Sequence, residues 1–203
     1  MLASRIKFGA AAAALLISGL ALASCEKAPG AGGAQNAASS GDDTNGASTV
    51  PDLPVLAKPV FNPDLVNMVG GIDLFSIAED KLALSQSSTP SVKSFATTSL
   101  NAHNSSLTGL SAAIDASGET LSVPDSVPMD MQTKVDALQK LSGPAFDKAF
   151  LADQIAVQRA EVAALPFFIK HGDNAHLAAF ATKVVTSAQS VLASAQSTQS
   201  TLK

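Results

Sequence analysis

The stretch TPSVKSFATTSLNAHNSSLTGLSAAIDASG, residues 89–118, decides the fold. Its inward-facing positions recur at Val92, Ala96, Leu100, His103, Leu107, Leu110 and Ile114. The steps alternate between four and three, which places these side chains on one face of a helix that packs within a bundle. Thr89-Pro90 supplies a non-helical residue followed by a first-turn proline, the usual opening of such a helix, and Gly118 marks its end.

The same pattern extends in both directions. Asn62-Pro63 opens a first helix that runs to about Gln86, with Ile72, Phe75, Glu79 and Leu82 on one stripe. After a loop holding Pro124 and Pro128, a short helix runs from about Met129 to Leu141. A third long helix runs from about Pro144 to His171, with the stripe Leu151, Ile155, Gln158, Val162, Leu165, Ile169. Gly172 suits its C-terminal cap, and Pro166 should kink it or cost an internal hydrogen bond. A fourth starts near Asp173 and carries Leu177, Phe180, Val184, Ala188, Val191 and Ala195. Its end, Ser194 to Lys203, is polar enough to fray. No window alternates with period two long enough for a sheet. Four long amphipathic helices predict an all-α four-helix bundle over residues 61–203, with a short extra helix between helices two and three.

The N-terminus reads differently. Arg5 and Lys7 precede the apolar run Ala10 to Ala23, and Leu22-Ala23-Ser24 leads directly into Cys25, the one cysteine of the chain. A basic start, an apolar run and small residues before a cleavage point form an export signal. Ending in cysteine, residues 1–24 resemble a bacterial lipoprotein signal peptide. That resemblance implies lipidation of Cys25 and a membrane partner reached through its acyl chains. The apolar run is too short for a transmembrane helix. Glu26 follows where an Asp favours inner-membrane retention in enteric bacteria, so the outer membrane, facing the periplasm, is the expected location. Residues 25–60 are rich in Ala, Gly, Ser, Asn and Asp, with Pro51, Pro54 and Pro59 at the end. Such a composition reads as a flexible linker, reaching roughly 30–35 Å from the membrane.

Composition excludes several functions. A net charge of −4 with pI near 5.2 argues against nucleic acid, which demands clustered Lys and Arg. With one cysteine, the chain forms no internal disulfide. Trp and Tyr are absent, which removes a tyrosyl radical and the usual aromatic anchors of protein recognition. No phosphate loop, nucleophile triad, HExxH or CxxC motif occurs, so no enzyme and no cofactor is expected.

Val92-Lys93-Ser94-Phe95-Ala96 with Asn101-Ala102-His103, and then Leu141-Ser142-Gly143-Pro144-Ala145-Phe146-Asp147-Lys148-Ala149-Phe150, resemble the motifs of a family of exported bacterial proteins known as domain of unknown function DUF4142. The resemblance spans roughly Leu65 to Ala195 and implies a ferritin-like bundle. It also implies inward ligand-type residues: a Glu on helix one and His residues on helices two, three and four. Carried over by position, only His103 survives. The other places hold Ser76, Gln158 and Val191, while Ala102 and Phe150 replace the family's Asp and Tyr. Glu79, one turn on from Ser76, could partly substitute. His103, Glu79 and Gln158 together make a poor metal site.

Ordinary structural roles account for the remaining polar residues. His103 reads as a buried or half-buried histidine with one hydrogen bond, and Gln158 as an inward polar residue paired with a neighbour, His103 being one candidate. Asp147 reads as a first-turn carboxylate that stabilises the helix N-terminus. His171 and His176 read as solvated loop residues, and Asp73 and Asp80 as solvent-facing. The expected function is a lipid-anchored envelope protein with a non-enzymatic bundle, structural, stress-related or directed at an envelope partner. The alternative is a ferritin-like metal-binding protein with a degenerate core site.

Overall fold

The computed structural model of the chain describes residues 52–54 and 56–202. The signal segment, Cys25 and the linker as far as residue 51 lie outside the described residues. Five helices make up the rest: α1 (Asn62–Gln86), α2 (Pro90–Ser117), α3 (Met129–Leu138), α4 (Gly143–His171) and α5 (Ala175–Ser200). No strand occurs among the described residues. This is the all-α bundle with its short extra helix, here α3.

The helix ends follow local chemistry. Phe61, not Asn62, is the N-cap of α1. The Asp64 carboxylate accepts from the backbone N–H of Phe61 at 3.0 Å and of Val60 at 3.2 Å, the returning half of a capping box. Asn62 is thereby free to donate to Glu119 at 2.5 Å and to Asp173 at 2.9 Å. Gly118 closes α2 in the left-handed region at φ 73°, which only glycine adopts without strain. Gly172 ends α4 in an extended conformation. A Cβ there would lie 2.8 Å from the Phe168 carbonyl oxygen, so contact rather than handedness requires the glycine. Asn174 caps α5 by accepting from the N–H groups of His176 and Leu177, so α5 begins two residues after Asp173. Its C-terminal turns stay helical to Ser200 because Val191 and Ala195 are buried in the core and Leu202 packs beside them.

Hydrogen bonds at the two poles fix the topology. Asn62 before α1, Glu119 after α2 and Asp173 before α5 meet at one pole. Thr89 before α2 donates to Asp147 near the start of α4 at the other. Helix α1 packs against α2 and α4, and α5 packs against the same two, so all four neighbouring pairs are antiparallel. The segment 118–142 must therefore cross from pole to pole, and α3 lies within that crossover against α1 and α4. One long crossover is the connectivity of ferritin-like bundles.

The crossover packs closely on α1. A Cβ on Gly70 would lie 2.6 Å from Pro124 Cδ, and one on Gly71 2.9 Å from Pro128 Cγ. Two glycines inside a helix are unfavourable by about 1 kcal/mol each relative to Ala, and here they admit the proline rings. Gly70→Ala is thus expected to lower stability by about 1–3 kcal/mol, the usual effect of overpacking, despite the propensity gain. Urea denaturation would check this; a stabilised variant would show that the crossover moves freely.

Apolar clusters occupy the two ends and one flank. Leu65, Val69, Leu110, Leu165, Phe168 and Leu177 fill one pole. Ala83, Val92, Phe95, Phe146, Phe150 and Leu151 fill the other. Ile72, Phe75, Met131, Val135 and Val157 join α3 to the bundle, and Leu53 and Leu56 pack on them. The last residues of the expected linker are thus part of the packed body: their apolar side chains have a surface to cover.

Candidate functional site

The helix seams explain what lies between the two apolar poles. On α1 the buried positions run Leu65, Val69, Asp73, Ser76, Asp80, Ala83. On α4 they run Leu151, Gln154, Gln158, Glu161, Leu165, Phe168. On α2, Val92, Ala96, Ser99, His103 and Leu110 follow the same spacing, with Ser106 half-buried between the last two. Each steps by four and three, as a bundle seam does, and each turns polar at its centre. Helix α5 alone remains apolar or small there, with Val184, Ala188 and Val191. The bundle is therefore dry at both poles and carboxylate-rich in the middle.

His103 sits at the centre. Its Nδ1 lies 2.7 Å from Asp73 Oδ1, and its Nε2 lies 3.2 Å from Gln158 Nε2. With the Gln158 amide N–H as donor, His103 Nε2 accepts and Nδ1–H donates to Asp73. Both ring nitrogens are used. The neighbour that Gln158 pairs with is thus His103, one of the candidates the sequence offers, whereas Asp73 is not solvent-facing but buried. The reason is position: Asp73 continues the Leu65, Val69 seam, and His103 supplies a partner that offsets part of its burial.

Asp80 is likewise buried rather than solvent-facing. Neither of its oxygens has a hydrogen-bond partner, although Ser99 and His103 lie near enough to favour its charge. Burial dominates and pushes its carboxyl up to about 7. Glu161, also without a partner for Oε1, is raised well above the usual range by burial and then by the Asp73 charge. Asp73 is raised by burial, against the hydrogen bond and charge of His103.

Glu79 belongs to a second group. It accepts from Gln154 Nε2 at 3.0 Å, and burial, reinforced by the Asp153 charge, holds its carboxyl well above the ordinary range. Asp153 pairs with Lys134 of α3 at 2.5 Å, both nearly inaccessible. Burial raises the Asp153 carboxyl and Lys134 opposes this. The structure thus brings His103 and Gln158 together and ties Glu79 to Gln154 instead. Among the described residues, no group of three or more His, Cys, Asp or Glu side chains is arranged to hold a metal ion.

Asp147 is buried in the second turn of α4 and accepts from the Thr89 hydroxyl. It joins two helix starts rather than capping one. His171 is not a loop residue but the last residue of α4, exposed, with its ring tilted against that of Phe167 at a centroid distance of 4.7 Å. His176 is exposed in the first turn of α5.

Two cavities adjoin the central section. A chamber of about 10 Å³ is walled by Asp73, His103, Gln158, Glu161, Ser106 and Ser187, among others. Outside it, between α2 and α5, lies an open groove of about 480 Å³. It exists because Gly109, Ala112, Ala116 and Ala179 leave the helix interface unfilled. Ala102, Ser106, Val184 and Ser187 line both spaces, so the groove and the chamber are separated only by these side chains.

These features define an antiparallel helical bundle with one crossover and an acidic, enclosed middle. The chain belongs to the family described as a domain of unknown function (DUF4142), whose sequence model matches residues 56–198. No curated protein and no solved structure matches the chain.

Proposed function

We propose that this protein is a lipid-anchored component of the bacterial cell envelope whose bundle domain acts by binding or support, not by catalysis. The observation that carries the reading is Leu22-Ala23-Ser24-Cys25 directly after an apolar run. Two or three acyl chains on one cysteine anchor a protein durably, since each buried CH₂ contributes about 0.8 kcal/mol. Glu26 supports the outer membrane as the destination, with the bundle facing the periplasm. Among the described residues, no helix is long and apolar enough to cross a membrane, so attachment rests on Cys25 in this reading. A non-catalytic role is supported by the placement of the acidic groups, whose chamber of about 10 Å³ admits nothing larger than about one water.

Mass spectrometry of the mature N-terminus tests the reading. The expected result is a diacyl or triacyl adduct on Cys25 with membrane fractionation, both lost in Cys25→Ala. Soluble wild-type protein without acyl mass on Cys25 would sink it.

A further inference from the structure

Two carboxylates, Asp73 and Glu161, line the central chamber with no Lys or Arg in its wall. His103 already engages Asp73 Oδ1, which leaves Asp73 Oδ2 and Glu161 Oε1 without partners. An independent feature points the same way. Gln158, a neutral residue with 0% exposure, turns its Nε2 to His103 and leaves Oε1 unpartnered. Ser106 Oγ is a fourth buried oxygen without a partner at hydrogen-bond distance, and its hydroxyl lies near enough to Asp73 to favour that carboxylate's charge. Native interiors contain few such groups, and each calls for an explanation. Four unpaired acceptor oxygens around a space of about 10 Å³ call for something small that is positively charged or donates.

We propose that the chamber is a binding site for one hard divalent cation, held by Asp73 Oδ2, Glu161, Gln158 Oε1 and Ser106 Oγ. Oxygen-only donors favour Ca²⁺, Mn²⁺ or Mg²⁺ over the softer metals that His and Cys select. His103 is a positioning residue here. Its Nδ1–H fixes the Asp73 carboxylate, the role outer partners play around metal ligands. The set has two carboxylates and two neutral oxygens, and so differs from the His103, Glu79, Gln158 combination the sequence points to. The α2–α5 groove is the solvent-open space nearest the site, sharing Ser106 and Ser187 with the chamber wall. A cation here would compensate charge that the bundle otherwise buries unpaired.

Mn²⁺ is the probe, since its electron paramagnetic resonance signal counts free and bound ion directly. The full chain, stripped with chelator, should bind one Mn²⁺, with Ca²⁺ or Mg²⁺ competing. Glu161→Gln, which keeps the shape, and Gln158→Met, which removes the free oxygen, should each weaken binding about tenfold or more. Asp80→Asn, outside the chamber wall, should leave it within about twofold of wild type. Circular dichroism of each variant establishes that it is folded. Absence of Mn²⁺ binding at millimolar concentration overturns the proposal, as does binding that both chamber variants leave unchanged.

Discussion

Asp80→Asn is expected to stabilise the bundle at pH 8 by about 2–4 kcal/mol and to change it little at pH 4. Asp80 is fully buried, and neither oxygen has a partner. Its carboxyl stands at about 7 in the fold against 3.8 in the unfolded chain, with burial as the largest cause. Between those values the folded state holds a proton that the unfolded state has lost, so stability falls as pH rises through this window. Below 3.8 both states are protonated, and above about 7 both are ionised, so the loss is complete there at about 4 kcal/mol. Asparagine carries no charge to bury, but it retains a polar group without partners, and the gain falls short of the full amount. Glu79, which burial also holds well above the ordinary range, adds to the decline of the wild type as pH rises. Urea midpoints of both proteins at pH 4, 6 and 8 measure the effect. A wild-type midpoint independent of pH would mean that Asp80 ionises at no cost, and the buried-acid account of the central section would fail.

How much of this was legible in the sequence turns on one choice made repeatedly. For α5 every residue of the stripe read from the sequence is buried, with Ala181 beside them, because its seam is apolar throughout. For α2 and α4 the reading agrees at Val92, Ala96, His103, Leu110, Leu151, Gln158 and Leu165 and slips by one residue between them. It takes Leu100 over Ser99, Leu107 over Ser106, and Val162 over Glu161. The structure makes Leu100, Leu107 and Val162 half-buried and puts Ser99 and Glu161 inside. An isolated charge costs several kcal/mol to bury, so a residue-by-residue reading sends every carboxylate to water. That ground sends Asp73 and Asp80 to the surface. Spacing alone does not find them: strict alternation of four and three from Leu65 and Val69 leads to Ile72, Ser76, Glu79 and Ala83. Asp73 and Asp80 lie one residue further on, buried as well because α1 packs on α2, α3 and α4 and is covered on more than one stripe. The pairing of Glu79 with Gln154, and that of Lys134 with Asp153, had no signal either. They depend on where the crossover lays α3, a contact between segments far apart in the chain.

Lys134→Met is expected to be among the most destabilising single changes, by about 3–5 kcal/mol at pH 8. Lys134 is only 5% exposed, and its ammonium pairs with Asp153 at 2.5 Å. Its chain crosses from α3 in the crossover to α4 in the bundle, so this one contact joins charge compensation to the docking of the crossover. Without it, Asp153 remains buried with Oδ2 unpartnered, its charge eased only by the neighbouring Glu79 carboxyl. Methionine retains an apolar stem of similar length, so the change isolates the ammonium. The Asp153 carboxyl, now raised by burial against the pull of Lys134, should rise further once that pull is gone. The destabilisation should then shrink at low pH, where the folded state takes up the proton. The pair itself is a different matter from its half. Replacing both partners of a buried ion pair with apolar residues is often neutral or stabilising, so Lys134→Met with Asp153→Leu should recover most of the loss. Hydrogen exchange adds a spatial readout: amides of α3 should lose protection in the single variant before those of α2 and α5. If the double variant is as unstable as the single one, the cost lies in packing at α3 rather than in an uncompensated carboxylate, and the acidic middle is not what Lys134 serves.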